Sequence, residues 1–230
     1  MVRVIFCLGF VSFWVSTIAQ PKNNLLLQFV PVYAREVVRL DSGIFICPDS
    51  SGIQIETFRF YISRVSVYKN EKLLWTEPMS FHLLDAAIPA SLKLSLVMPA
   101  GTSFDQISFN LGVDSFTNVS GALGGDLDPS RGMYWTWQSG YINWKLEGTA
   151  AAAPTRNHEF HFHIGGYSAP FATLTPVILK VDNQQNVNVF VDLHRFLNGI
   201  DLKTENNIMI PGHNAVRLAK KAGTIFYTNP

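Results

Sequence analysis

Cysteine is scarce in this sequence: only Cys7 and Cys47 occur among 230 residues. Cys7 lies in an N-terminal segment that we predict is cleaved, so the mature chain keeps Cys47 alone and cannot form an internal disulfide. Stability must then come from a hydrophobic core, which a chain that is 47% hydrophobic can build. Cys47 follows the apolar residues 43–46 and is expected to be a small buried hydrophobe rather than a nucleophile or metal ligand.

Charged residues are also few, at 15% of the chain, and their signs nearly cancel, with 18 basic and 17 acidic residues and a formal net charge of +1. This balance gives no electrostatic basis for binding nucleic acid or an anionic membrane. Several enzyme motifs are missing too, because the sequence contains no GxSxG, HExxH, GxxxxGK[ST] or GxGxxG. We therefore expect a protein that is not an enzyme and does not bind nucleic acid.

Only one apolar run is long, and it lies at the N-terminus. Residues 1–19 contain one arginine near the start, an apolar run over 4–15, and small residues at the positions that a signal peptidase recognises. The run is shorter than the roughly 20 residues that a transmembrane helix needs. We predict a signal peptide cleaved before Gln20, a single mature domain over 20–230 without a membrane span, and a periplasmic or secreted location.

Strict alternation of apolar and polar residues recurs along the chain and predicts half-buried strands. It is clearest in segments 92–96, 107–113, 142–147 and 187–193. Less regular apolar runs bring the expected number to about nine or ten strands. Turn-rich segments separate them, which favours an all-β fold, an antiparallel β-sandwich or barrel with long loops. In segment 58–67 the apolar phase switches, which predicts a β-bulge near Ser63.

Helical signals are weak and lie near the C-terminus. We expect a turn or two over 194–198 and a short C-terminal helix over 215–222. Asn214 is the expected N-cap of that helix, and Gly223 follows its end.

Histidine clusters in one place, with three of the six histidines inside six consecutive residues. In a strand, His161 and His163 share one face, with their backbones roughly 7 Å apart. Two neutral imidazoles on one face are the beginning of a copper or zinc site. We expect His161 and His163 to bind metal, with His82 or His213 completing the set. The alternative is that these histidines only form hydrogen bonds on a polar sheet face.

The longest segment without simple alternation runs over 114–141 and contains five glycines and three acids. We expect Asp114, Asp126 and Asp128 to be structural, because neighbouring carboxylates need hydrogen bonds from loop amides or a shared cation. They would then hold the loop so that the aromatic block 133–137 packs onto one end of the sandwich. Calcium is the alternative partner for these acids, although their spacing matches no helix-loop-helix calcium site.

A series of short motifs resembles the MbnP-like family of exported bacterial proteins, which are related to the periplasmic copper-binding partner encoded beside methanobactin genes. The resemblance extends over about residues 25–220. It rests on the segments 58–63, 81–85, 110–114, 127–129, 132–137, 140–141, 145–148 and 162–166, of which GMYWTWQSGY is the most specific block.

The resemblance implies a β-rich periplasmic domain that binds copper. In some relatives a tryptophan is also oxidised to kynurenine by a partner dihaem enzyme of the peroxidase-like type. His163 matches the histidine of the family's FHxGG block, and His82 matches that of the FHLxD block. Trp135 and Trp137 lie in the aromatic block and are the candidates for oxidation. The oligomeric state is left open.

Two other functions are compatible with the residues. Trp135, Trp137 and Tyr141 could form a stacking surface for sugars, as in carbohydrate-binding modules. A glycoside hydrolase would need two carboxylates flanking a cleft, and the sequence gives no reason to prefer any two of four acids. These acids are Glu56, Asp85, Glu147 and Glu159.

Overall fold

A computed structural model of the chain describes residues 22–40, 43–46 and 52–228. The predicted signal peptide and Cys47 lie outside the described residues, so the expectations about them stay predictions.

The described residues form fifteen strands in two sheets. The five-stranded sheet contains β1 (Lys22–Tyr33), β2 (Glu36–Val37), β7 (Lys93–Pro99), β13 (Asn186–Asp192) and β15 (Phe226–Thr228). The ten-stranded sheet contains β3 (Ile44–Ile46), β4 (Gly52–Lys69), β5 (Lys72–Thr76), β6 (Phe81–Asp85), β8 (Gln106–Leu111), β9 (Tyr134–Trp135), β10 (Gly140–Ala150), β11 (Glu159–Gly165), β12 (Thr175–Lys180) and β14 (Asn207–Ile208).

The main core lies between the two sheets. Because side chains alternate along a strand, one face of each strand is apolar and meets the facing sheet. Phe29 of β1 packs edge-to-face against Phe60 of β4, with ring centroids 5.9 Å apart, and against Phe109 of β8 at 5.7 Å. Such aromatic rings bury large apolar areas, so this interface contributes strongly to the stability of the fold.

The predicted all-β fold is confirmed, and ten of the strands contain five or more residues. Most strand pairs are antiparallel as expected, and two are parallel, β1 with β13 and β11 with β14. Alternation fixes which face a residue occupies but carries no information on strand direction. The predicted bulge is present, since the pairing of β4 with β8 shifts between Ser63 and Ser66.

Three α-helices complete the described part of the chain: α1 (Ser115–Val119), α2 (Leu193–Leu197) and α3 (His213–Gly223). The last two agree with the expected positions. The expected cap is wrong, because α3 begins two residues early, after the extended residue Gly212, and Asn214 lies inside the helix. No described helix has both the length and the apolar character needed to cross a membrane.

Candidate metal centre

Strands β10 and β11 lie side by side and carry the only group of three or more close metal-ligand side chains among the described residues. Their antiparallel register places Glu147 opposite His161 and Lys145 opposite His163. The residues between them, Leu146 and Phe162, are fully buried in the main core. The two histidines and Glu147 therefore point away from the five-stranded sheet, on what we call the outer face.

Ligand atoms from Glu147, His161 and His163 all lie within 4.8 Å of one another. His163 Nε2 is 2.6 Å from Glu147 Oε1, and His161 Nδ1 is 3.7 Å from the same oxygen. Two ligands bound at ordinary tetrahedral distances are about 3.4 Å apart. The pair Glu147 and His163 needs to open by less than about 1 Å to accept a metal ion, and His161 is already at a fitting distance.

Glu147 is held in its charged form. Burial acts to raise the pKa of its carboxyl, but hydrogen bonds from His163 and Thr57 act in the opposite direction. Together with the positive charge of Lys145, whose Nζ lies 3.5 Å from Oε1, they lower the pKa to about 2. Glu147 therefore offers an anionic oxygen at every pH at which the protein is expected to work.

His161 has a second acidic neighbour on its far side. Its Nε2 lies 3.5 Å from Glu159 Oε2, while its Nδ1 faces Glu147. Asn157 donates a hydrogen bond to the other oxygen of Glu159 at 3.0 Å. A carboxylate that accepts a hydrogen bond from the far nitrogen of a metal-binding imidazole orients the ring, and Glu159 lies close to that position beside His161.

Trp135 lies on the outer face beside this cluster. Gly165 is the next residue after His163 on that face, and a Cβ placed on it would be 2.7 Å from Cζ3 of Trp135. The absence of a side chain at Gly165 thus lets the indole lie against the strand. Trp135 is 6% exposed, whereas its ring neighbour Trp137, 5.6 Å away, is 63% exposed.

His82 and His213 are not part of this cluster, contrary to the expectation that one of them completes the ligand set. His82 Nε2 contacts Glu77 Oε2 at 3.0 Å on the opposite side of β4 from β10. His213 begins α3 and packs edge-to-face against Phe171. Three inter-strand steps, or about 14 Å across the sheet, separate the strands of His82 and His163, and the register adds an offset of three residues along the strands.

The three acids of the long loop each accept a hydrogen bond from a backbone amide. Asp114 accepts from Thr117 N at 2.9 Å, Asp126 from Leu83 N at 3.0 Å, and Asp128 from Ser130 N at 2.8 Å. They belong to no group of close metal ligands in the described part of the chain. Each carboxylate therefore has a backbone amide partner, and the structural role expected for these acids stays a prediction.

The aromatic block packs differently from the expectation. It does not close an end of the sandwich but forms a second small core on the outer face of the ten-stranded sheet, separate from the main core. Trp135 and Tyr141 are both buried there, so with Trp137 they do not form an exposed stacking surface for sugars. The members of this second core are Tyr61, Leu83, Val113, Leu127, Met133, Trp135, Tyr141 and Ile142.

The sequence did not indicate Glu147 as a candidate metal ligand. Alternation in β10 already placed Glu147 on a polar face, but a carboxylate becomes a ligand only when its neighbour across the sheet is known. The register of β10 against β11 supplies that neighbour. No local pattern in the sequence states it, because the sequence of the connector between β10 and β11 does not fix the register of the two strands.

Comparison with known proteins places the chain in a family. The model of the MbnP family matches residues 22–210. The chain belongs to the MbnP family. A solved structure, MbnP from Methylosinus trichosporium, superposes with a TM-score of 0.63 at 16% identity, covering 85% of this chain and 87% of that one. At this identity the likeness shows the shared fold. A search of curated proteins finds no significant match.

Proposed function

We propose that this protein is an exported copper-binding protein and that Glu147, His161 and His163 hold the metal. The observation that carries the proposal is the convergence of two imidazoles and one carboxylate within 4.8 Å on the outer face. Imidazole nitrogen is a good ligand for copper, and copper binds such sites more tightly than other divalent first-row metals. Membership of the MbnP family, which is associated with copper handling, favours copper over zinc.

The residues present fit a bound ion. The ligands come from two paired strands rather than from loops, so the sheet fixes their spacing. Glu147 is anionic and supplies charge neutralisation, and Glu159 orients His161. The ion would supply Lewis-acid or electron-transfer chemistry, while this chain's own residues bind and orient it.

Copper titration of the mature protein tests the proposal. We expect Cu(II) to bind with a dissociation constant below about 1 μM, and the double change of His161 and His163 to Ala to abolish this binding. His82→Ala and His213→Ala are matched controls, because each removes an imidazole outside the cluster. Unchanged affinity in the double variant, or equal losses in the controls, would show that copper binds elsewhere or not at all.

The same geometry favours Trp135 over Trp137 as the tryptophan that a dihaem peroxidase-like partner would oxidise to kynurenine. Trp135 packs against Gly165, two residues from His163, so a modified side chain there would lie beside the metal. Trp137 is largely exposed, at 63%. Peptide mass spectrometry of protein purified with its genomic neighbours expressed should locate the modification at Trp135, and modification of Trp137 alone would contradict this assignment.

Export is proposed on the sequence alone. If residues 1–19 are a signal peptide, N-terminal sequencing of the protein recovered from the periplasm or medium should begin at Gln20. Retention of the full N-terminus in the cytoplasmic fraction would contradict it.

A further inference from the structure

A cavity of about 600 Å³ opens where the bulged part of β4 meets helix α1 and the connection between β5 and β6. Its volume lies in the usual range for small-molecule sites. None of its lining residues belongs to the cluster of Glu147, His161 and His163. Its apolar lining residues are Pro78, Met79, Phe81, Phe116 and Leu174.

Two large apolar side chains of this cavity are exposed to solvent. Phe116 of α1 is 82% exposed, and Met79 in the connection between β5 and β6 is 98% exposed. Met79 also has a positive φ of 34°, an unfavourable conformation for a residue with a side chain. Apolar side chains grouped at a concave surface are typical of ligand-binding sites.

Two carboxylates line the same cavity, and all four of their oxygens already have hydrogen-bond partners. Asp114 accepts from the amide and the hydroxyl of Thr117 at 2.9 and 3.0 Å. The two oxygens of Glu77 lie 3.1 and 3.0 Å from His82 Nε2, and the Ser80 hydroxyl donates to one of them. Burial acts to raise the pKa of the Glu77 carboxyl, but the hydrogen bonds from His82 and Ser80 lower it below its usual value. Glu77 is therefore anionic at neutral pH.

This set of groups suits a cation that has no hydrogen to donate. A primary ammonium carries three donors and needs free acceptors, whereas a quaternary ammonium is attracted by aromatic faces and by negative charge alone. Phe81 and Phe116 supply the rings, and the two carboxylates supply the charge. Arg64 is the only cationic side chain among the described residues that line the cavity, and it is exposed, so solvent screens its charge.

We propose that this cavity binds the trimethylammonium group of a small metabolite of the choline or glycine betaine type. The inference goes beyond the proposed copper function and does not depend on it. Arg64 forms no ion pair with another described residue. A ligand that also carries a carboxylate, as glycine betaine does, would direct that carboxylate towards Arg64.

The first experiment compares choline with its neutral isostere, the alcohol in which a tert-butyl group replaces the trimethylammonium group. The two ligands have nearly the same shape, so a difference in affinity reports the positive charge. Isothermal titration of the protein should give a dissociation constant for choline below about 1 mM and a weaker one for the alcohol. Ethanolamine, which carries a primary ammonium, should also bind more weakly than choline.

Substitution of Phe116 tests the contribution of the aromatic ring. Phe116→Leu keeps an apolar side chain but removes the ring, and it should weaken choline binding about 2- to 5-fold, the contribution of a cation–π contact at an exposed site. The affinity of the neutral alcohol should stay the same. Val119→Leu is the matched control, because Val119 is exposed on the same helix and does not line the cavity.

Two charge variants test the electrostatic contribution. Glu77→Gln keeps the size of the side chain but removes its charge, so it should weaken choline and leave the neutral alcohol unchanged. Arg64→Gln should have opposite effects on two ligands, because it removes a repulsion for choline and an ion pair for glycine betaine. Choline should then bind more tightly and glycine betaine more weakly. Lys203→Gln, which removes an exposed cation outside the cavity, should change neither affinity.

The outcomes decide the proposal without reference to copper. If choline and glycine betaine do not bind at about 10 mM, or if choline binds no better than the neutral alcohol, the cavity is not a trimethylammonium site. Binding that Phe116→Leu and Glu77→Gln leave unchanged would place the ligand elsewhere on the protein and would also contradict the proposal. Arg64→Gln decides between the two ligands, because a selective loss of glycine betaine would identify the zwitterion as the preferred type.

Discussion

At the scale of single residues, the pKa of Glu147 depends on its surroundings in the folded protein. Its carboxylate contacts Lys145 of the same strand as well as His163 and Thr57, and the last two contacts exist only when β10 is paired with β11 and β4. The sequence identified both histidines because they are close along the chain. It could not identify the carboxylate that completes the cluster, since that depends on the register between strands.

The lowered pKa of Glu147 predicts a specific acid sensitivity. A carboxyl whose pKa falls from 4.5 to about 2 on folding stabilises the native state fully above pH 4.5, and this stabilisation is lost as the pH falls towards 2. Glu147→Gln removes the titrating group, so the stability difference between wild type and variant should shrink across this range. Urea unfolding of the metal-free protein at several pH values measures it, and a difference that is independent of pH would contradict the prediction.

Gly165 is a position where the packing of neighbouring residues leaves no room for a side chain. A Cβ at this position would lie 2.5 Å from the carbonyl oxygen of Tyr141 and 2.7 Å from the ring of Trp135. Gly165→Ala should therefore destabilise the protein by about 1–3 kcal/mol, the usual cost of overpacking, and should alter tryptophan fluorescence. Gly124→Ala is the control because nothing lies within 4 Å of its added Cβ. Equal stability of the two variants would show that the indole is free to move aside.

At the scale of secondary-structure elements, the sequence predicted the positions of strands more completely than it predicted the candidate metal ligands. Alternation located the long strands and the bulge near Ser63, because burial of one strand face is a local property of the pattern. Parallel pairing of β1 with β13 and the position of the aromatic block were not predictable, since both depend on where distant segments meet. The long loop is ordered by polar contacts that the sequence indicated only through its acids and glycines.

The N-terminal cap of helix α1 tests whether an acid of that loop has a structural role. Asp114 caps it by accepting hydrogen bonds from the amide and the hydroxyl of Thr117, at 2.9 and 3.0 Å. Asp114→Ala should cost about 0.5–2 kcal/mol of stability, while Asp114→Asn should restore most of it because an amide oxygen also caps. Thermal unfolding measures both. Calcium or a calcium chelator should leave the melting temperature of wild type unchanged, and a calcium-dependent rise that Asp114→Ala abolishes would instead indicate a cation site.

At the scale of the whole molecule, the two sheets contribute in different ways. The face between them is apolar and holds the fold together, whereas the outer face of the ten-stranded sheet carries the second core and the cluster of candidate metal ligands. Placing the site on strands that are anchored from behind by Leu146 and Phe162 keeps its geometry rigid. The loop over 114–141 can then cover part of the outer face and bring Trp135 to the site.

The scarcity of cysteine predicts that a thiol reductant leaves the stability of the mature protein unchanged. In the predicted mature chain, which begins at Gln20, Cys47 is the only cysteine, so no internal disulfide is expected to contribute to stability. The melting temperature of the metal-free protein should be the same with and without a thiol reductant, and that of Cys47→Ser should likewise not respond to the reductant. A fall in melting temperature on reduction that Cys47→Ser reproduces without reductant would show that Cys47 joins two chains, and the stable unit would then be a covalent dimer rather than the sandwich alone.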